Sequence, residues 1–275
     1  MCSRFPSIAV LAFVALSMFH AAQLAKAQKP TLRVCADPDN LPFSDDHERG
    51  FENRLAEMIG SYLHDDIQFI WQRMGRGFVR EFMDKGKCDL VIGIPATFRA
   101  LLTTRPYYRS SFVFVSRKSA TYQPVSLNDP RLKHFRIGVE ALEEEYTPPA
   151  QALSRRGLQT QLVGIYAVGS HAFDVARAVS HRDVDFAIMW GPAAGFIAKR
   201  SPQTFTVTPI QPESDGPLPF TFAISMGVGK KNDELRLKLN QFIDANRVDI
   251  ESLLNVYGVP QLPLPPQTTA DQAGE

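Results

Sequence analysis

Asp37, Asp39 and Asn40 crowd around Pro38, and oxygen-bearing side chains so close together could hold a ligand or a hard cation. The same residues also suit an Asx turn, in which a short acid bonds to the backbone two residues on. No glycine or terminal glutamate falls where an EF-hand loop needs it. Asp45-Asp46-His47-Glu48 reads as either a metal cluster or a solvated loop, and Glu143-Glu144-Glu145 as a solvated face or a docking patch for a basic partner. The remaining histidines (His64, His134, His171, His181) lack the H-x-x-x-H spacing that puts two imidazoles on one helix face. There is no G-x-S-x-G, no P-loop and no G-x-G-x-x-G. No acid and base stand in a recognisable catalytic pattern, so the residues call for no metal, no cofactor and no catalytic group. Arg76-Gly77-Phe78 places a cation beside an aromatic ring, either at a ligand cleft or at a helix start.

The elements that would position these groups alternate between strand-like and helix-like. Residues 32–36, 67–71, 89–94 and 111–116 read as strands, and 52–63 as a helix with Leu55, Ile59 and Leu63 on one face. Phe78, Phe82 and Met83 give the apolar face of a second helix, stopped by Gly86. The rhythm restarts with strands at 136–139, 160–165, 184–189 and 204–210. The intervening helices open after Pro148-Pro149, at 172 and at Pro192. An extended stretch at 218–228 is followed by a helix capped by Asn232 and a last one over 248–257. Two successive β-α-β-α-β sets imply two α/β lobes joined by two crossings, near 116–124 and 211–221, with a cleft outside the strands' C-terminal ends. Lobe 1 is expected over 28–117 with 219–258, lobe 2 over 118–218, and a proline-rich disordered tail over 259–275.

The composition agrees with a folded, secreted chain. Of 275 residues, 44% are hydrophobic and 21% charged, with a formal net charge of +1. That is too apolar for disorder and too balanced for a nucleic-acid binder. Arg4, the apolar run from Ile8 to Phe19 and the small-x-small Ala25-Lys26-Ala27 form a signal peptide over 1–27. Its removal takes Arg4, Lys26 and Cys2, leaving a charge of −1, no membrane span and two cysteines, Cys35 and Cys88, outside the cytoplasm. An oxidising compartment favours a disulfide between them. Their placement, after one strand and before a parallel neighbour, opposes it, because it sets the thiols at opposite ends.

At this point the chain resembles the periplasmic solute-binding proteins of ABC importers, in the group that includes amino-acid receptors (solute-binding family 3). Gly50-Phe51-Glu52, Gly86-Lys87-Cys88-Asp89-Leu90, Thr103 to Tyr108 (TTRPYY) and Val184-Asp185-Phe186-Ala187 carry the resemblance in order. It implies a two-lobed, type II periplasmic binding fold. Longer strings (ADPDNLPFS at 36–44, KCDLVIGIPA at 87–96, LTTRPYYRSSFVFV at 102–115 and VDFAIMWGPAAG at 184–195) are similar to a narrower group. That group is the quinoprotein dehydrogenase-associated substrate-binding proteins, encoded beside PQQ-dependent alcohol and methanol dehydrogenases.

Two departures bear on the ligand. Receptors of the wider family carry T-x-x-R, whose arginine clamps the ligand carboxylate, but Thr97 is followed three residues on by Ala100 and the nearest arginine is Arg99. Arg99 reads equally as a displaced carboxylate ligand and as a surface arginine. Five residues after Asp185, where those receptors put an acid for the ligand ammonium, stands Trp190. With Phe43 and Phe78 placed nearby by the resemblance, the cleft suits a flat or aromatic ligand or an apolar plug from a partner protein. The expected cleft residues are Asp39, Asn40, Phe43, Arg76, Phe78, Thr97, Arg99 and Trp190. Three functions follow in order of preference. The first is a non-enzymatic periplasmic accessory factor in methanol oxidation, partnering a PQQ-dependent dehydrogenase or its cytochrome. The second is a solute receptor serving an ABC permease, and the third a dehydratase-like enzyme on the same scaffold.

Overall fold

The computed structural model describes residues 29–142 and 145–264. Residues 1–28, which include the signal peptide, Glu143, Glu144, the side chains of Leu142 and Glu145, and residues 265–275 lie outside the described residues. No described helix is long and apolar enough to cross a membrane.

Lobe 1 is built on strands β1 (Thr31–Ala36), β2 (Asp66–Trp71) and β3 (Leu90–Pro95), with β2 and β3 both parallel to β1. Helix α1 (Phe51–Leu63) buries Phe51, Leu55 and Ile59 on the sheet. Its first turn is fixed by Asn53, whose Oδ1 accepts the backbone N–H of Gly50 at 3.0 Å and of Asp45 at 3.1 Å. The helix expected around Phe78–Met83 is one π-helical turn, Val79–Met83, with Met83 buried and Phe78, Val79 and Phe82 partly buried against the same cluster.

Strand β4 (Tyr108–Arg117) is the long central strand. Lobe 2 then follows as β5 (Ile137–Leu142), α2 (Pro148–Arg155), β6 (Leu162–Tyr166), α3 (Asp174–His181), β7 (Phe186–Trp190), α4 (Gly191–Arg200) and β8 (Phe205–Pro209). The chain returns through β9 (Thr221–Val228) and ends in α5 (Asp233–Ala245) and α6 (Arg247–Val256). Asn232 precedes α5 but makes no side-chain capping bond. The sheet order is β6-β5-β7-β4-β9-β3-β1-β2, with β8 also paired to β4.

Strand pairing locates the crossings. The first residues of β4, Tyr108 to Ser111, pair with β9, whereas Phe112 to Arg117 pair with β7 and β8. The first crossing therefore lies inside β4 at Ser111–Phe112, upstream of the 116–124 stretch expected from its turn residues. Most of β4 belongs with lobe 2. That stretch instead carries a tight turn at the far end of the strand, with Ala120 N–H on the Arg117 carbonyl. The second crossing falls at 210–221, where Ile210 N–H donates to the Phe112 carbonyl. Because β4 is buried on both faces, it feeds two cores. Phe112 and Phe114 pack with Leu127, Leu153, Phe186 and Phe220, while Val113 and Val115 pack with Val175, Val179 and Met189.

The described chain after α6, residues 259–264, packs on the protein, although the sequence expects disorder from 259 onward. Val259 is buried, Leu262 N–H donates to the Arg109 carbonyl at 2.8 Å, and Ser110 Oγ donates to the Pro260 carbonyl at 2.6 Å. Prolines suit this segment because it runs extended and needs few backbone donors. It also braces the lobes. Gly195 of α4 lies so close that a Cβ there would stand 2.0 Å from the Gly258 carbonyl oxygen, and Phe196 stacks on Tyr257 at 6.0 Å between centroids.

Candidate functional site

A cleft of about 750 Å³ opens between the lobes, beyond the C-terminal ends of the parallel strands. Each wall is the end of a strand or the loop after it. Asp37, Asn40 and Phe43 follow β1, Arg73 and Arg76 follow β2, and Gly93 and Pro95 lie in the last half of β3. From lobe 2 come Glu140 of β5, Thr147 ahead of α2, Gly169 after β6 and Trp190 of β7. Phe112 and Phe222, on the two crossing strands, lie between them.

The aromatic groups form a corner. The Trp190 ring stands at 62° to Phe112 and 73° to Phe222, with centroids 5.3 and 5.8 Å away. Phe112 and Phe222 meet at 77° and 6.4 Å. These edge-on contacts hold the rings against both cores while leaving them on the cleft wall.

The charged groups are sorted by depth. Arg73 and Arg76 are exposed at the rim, whereas Asp37 and Glu140 are each only 6% exposed. Glu140 Oε2 accepts the Trp190 backbone N–H at 3.0 Å, and burial still raises its carboxyl to about 7. Glu52 of α1 presses on the cleft from behind. A Cβ at Gly93 would stand 2.0 Å from its Oε1, so only glycine leaves room for that carboxylate. Burial, reinforced by Asp37, raises Glu52 to about 8. No cationic side chain contributes to either shift. Thr147 adds a buried hydroxyl without a hydrogen-bond partner.

The lobes touch at the lip. A Cβ at Gly169 would lie 2.8 Å from Arg73 Nη2 and 3.1 Å from Asp39 Oδ2, so lobe 1 leans on the bare backbone of lobe 2 there. Asp39 is thus a lip residue rather than a wall residue. Asp37 Oδ1 accepts the Asp39 N–H at 3.0 Å, which is the Asx turn weighed from the sequence.

Of the expected cleft residues, the structure brings together Asn40, Phe43, Arg76 and Trp190 on the wall, with Asp39 at the lip. Phe78 lies outside the cleft, in a neighbouring cavity, stacked on Phe82 at 5.7 Å. Thr97 and Arg99 are exposed and also lie outside it, because the chain turns outward after β3, with Phe98 N–H on the Pro95 carbonyl. The loop acids are spent locally. Asp45 takes the N–H and Nε of Arg49 at 2.6 Å each, and Asp46 meets His47 Nδ1 at 2.7 Å.

Cys35 and Cys88 are joined in a disulfide, with Cα atoms 5.6 Å apart. The expected separation fails because only Val34 and Cys35 pair with β3, at Leu90 and Val91, so β3 begins beside the end of β1. Arg33 then holds Asp89 through its backbone N–H and Nε, both 2.9 Å from Oδ2, and fixes Cys88 against β1.

Two α/β lobes, two crossing strands and a cleft at the strand ends define a periplasmic binding protein of the amino-acid-binding type. The chain is 31% identical over 268 residues to protein MoxJ of Methylorubrum extorquens, covering 89% of this chain and 86% of that one. The crystal structure of the periplasmic binding protein XoxJ from Methylobacterium extorquens AM1 matches with a TM-score of 0.69 and 36% identity, over 85% of this chain and all of that one. An ancestral cationic amino-acid solute-binding protein shares the fold at a TM-score of 0.66 and 17% identity, over 87% and 99% of the two chains. No protein-family model matches. The chain belongs to the MoxJ family of periplasmic binding proteins.

Proposed function

We propose that this chain is a non-enzymatic accessory factor in the periplasm, serving a PQQ-dependent methanol or alcohol dehydrogenase system. Secretion through a signal peptide cleaved after Ala27 delivers it there. Family membership supports the reading, as does the likeness of its longest strings to proteins encoded beside such dehydrogenases. The observation that carries it is the dismantled amino-acid clamp. Trp190, at the position of the receptors' acid, lines the cleft, and Arg99, the nearest stand-in for their arginine, is exposed outside it. A cleft without that pair has lost the bidentate hold on a carboxylate that the receptors use. The partner is the dehydrogenase or its cytochrome.

Affinity capture with the tagged mature chain from periplasmic extract tests this. The expected catch is a quinoprotein dehydrogenase or its cytochrome, with no thermal shift on adding the free standard amino acids. The second reading, an importer's receptor, draws on the size of the cleft, which suits a small solute. A large shift with a free amino acid, and no dehydrogenase captured, would favour it instead.

A further inference from the structure

The cleft floor carries acids that no side chain pairs, and beside them stands an aromatic corner. Asp37 faces it from lobe 1 and Glu140 from lobe 2, both nine-tenths buried or more. The arginines that share the cavity, Arg73 and Arg76, are exposed at the rim. Beside Glu140, Trp190, Phe112 and Phe222 offer three near-perpendicular rings, whose faces attract positive charge. The unpartnered Thr147 hydroxyl, 5% exposed and on the same wall, wants a donor or an acceptor that the protein does not supply.

We propose that the cleft binds an organic ammonium ion lacking a carboxylate, with its charge against Glu140 and its apolar body in the corner of Trp190, Phe112 and Phe222. A cation satisfies a buried carboxylate that no side chain pairs. An anion would have to pass the rim arginines and then face two acids. A zwitterionic amino acid would carry its carboxylate into the same negative floor. Acids on opposite lobes also mean that a bound cation is attractive to both and holds the lip together. The inference concerns the small molecule in the cleft and stands whether or not a dehydrogenase docks on the outside.

The other titratable or charged groups on the wall are Asp37, Arg73, Arg76 and Tyr146, and Glu52 lies behind Gly93. Burial holds the Glu140 carboxyl up to about 7, so binding is measured at about pH 8, where it is ionised. The experiment is calorimetric titration of the mature, oxidised chain with phenethylamine, tetramethylammonium and phenylalanine. Phenethylamine is phenylalanine without its carboxylate, so that pair isolates the effect of the negative group. The expected result is saturable binding of an amine, at least about tenfold tighter than phenylalanine. Glu140→Gln, close in size and still able to accept the Trp190 N–H, is expected to weaken amine binding about tenfold or more. Thr147→Val leaves all charges in place and is expected to weaken it less. No heat with either amine, tighter binding of phenylalanine, or a Glu140→Gln variant that binds as well as the parent would overturn the proposal. Capture of a dehydrogenase is read out separately, so neither failure implies the other.

Discussion

Reduction of the bridge between Cys35 and Cys88, or its replacement in the Cys35→Ala, Cys88→Ala variant, is expected to lower the folding free energy by about 4 kcal/mol. The figure follows from the cross-link's span. The cysteines are 53 residues apart, so the bridge removes the freedom of a long loop from the unfolded chain. Both cysteines are buried in an apolar cluster with Met83, Val91 and Leu101. Alanine keeps that cluster apolar, whereas serine would add two buried hydroxyls and confuse the result. The loop also carries α1, Gly93's neighbour Glu52 and the Arg73–Arg76 rim, so loosening it disturbs one whole wall of the cleft. Urea denaturation with and without reductant checks the expectation. The parent should unfold at a lower midpoint when reduced, and the double variant should ignore the reductant. Equal midpoints for oxidised and reduced parent would show that the bridge adds no stability.

The folded chain is expected to lose several kcal/mol of stability as the pH rises from about 5 to about 8. Glu52 and Glu140 carry the effect. Both lie above their ordinary value of 4.5 in the folded state, at about 8 and about 7. Between the unfolded and folded values each carboxyl keeps its proton in the native chain and sheds it on unfolding. The contribution is therefore complete below about pH 4.5 and is lost as pH rises through 7 to 8. Glu52→Gln with Glu140→Gln removes both titrations and should flatten the profile. Chemical denaturation at the two pH values, on parent and double variant, measures the difference. A parent whose stability is level or climbs across that interval would contradict the assignment of buried, unpaired acids.

Periodicity made most of the fold legible. Apolar runs such as Leu90 to Ile94 and Phe112 to Val115 became buried strands because such runs can only be satisfied inside a sheet. Turn residues were a poorer guide to the crossings. The apolar strand β4 serves both lobes, and its pairing change at Ser111–Phe112 leaves no mark in composition. The tail misled for a related reason, since proline-rich chain has no period whether it is disordered or laid extended along a surface. Arg76 and Trp190 follow from strand ends and reach the wall, as do Asn40, from the turn around Pro38, and Phe43, from the resemblance. Thr97 and Arg99 rested on the resemblance alone, and the outward turn after β3 carries them away. The buried acids went unread, although Glu140 is a charge inside the apolar strand IGVEAL. Glu52 stands in the first turn of α1, where an acid suits the helix dipole and gives no sign of burial. The disulfide needed the strand register, which spacing between cysteines does not encode.

The measurement closest to the central claim is PQQ-dependent alcohol dehydrogenase activity in periplasm from a strain lacking this chain, with and without the gene restored. An accessory role predicts a large loss of that activity, recovered by the parent gene, with solute uptake unaffected. Unchanged dehydrogenase activity together with loss of uptake of a small solute would contradict it and make the chain an importer's receptor.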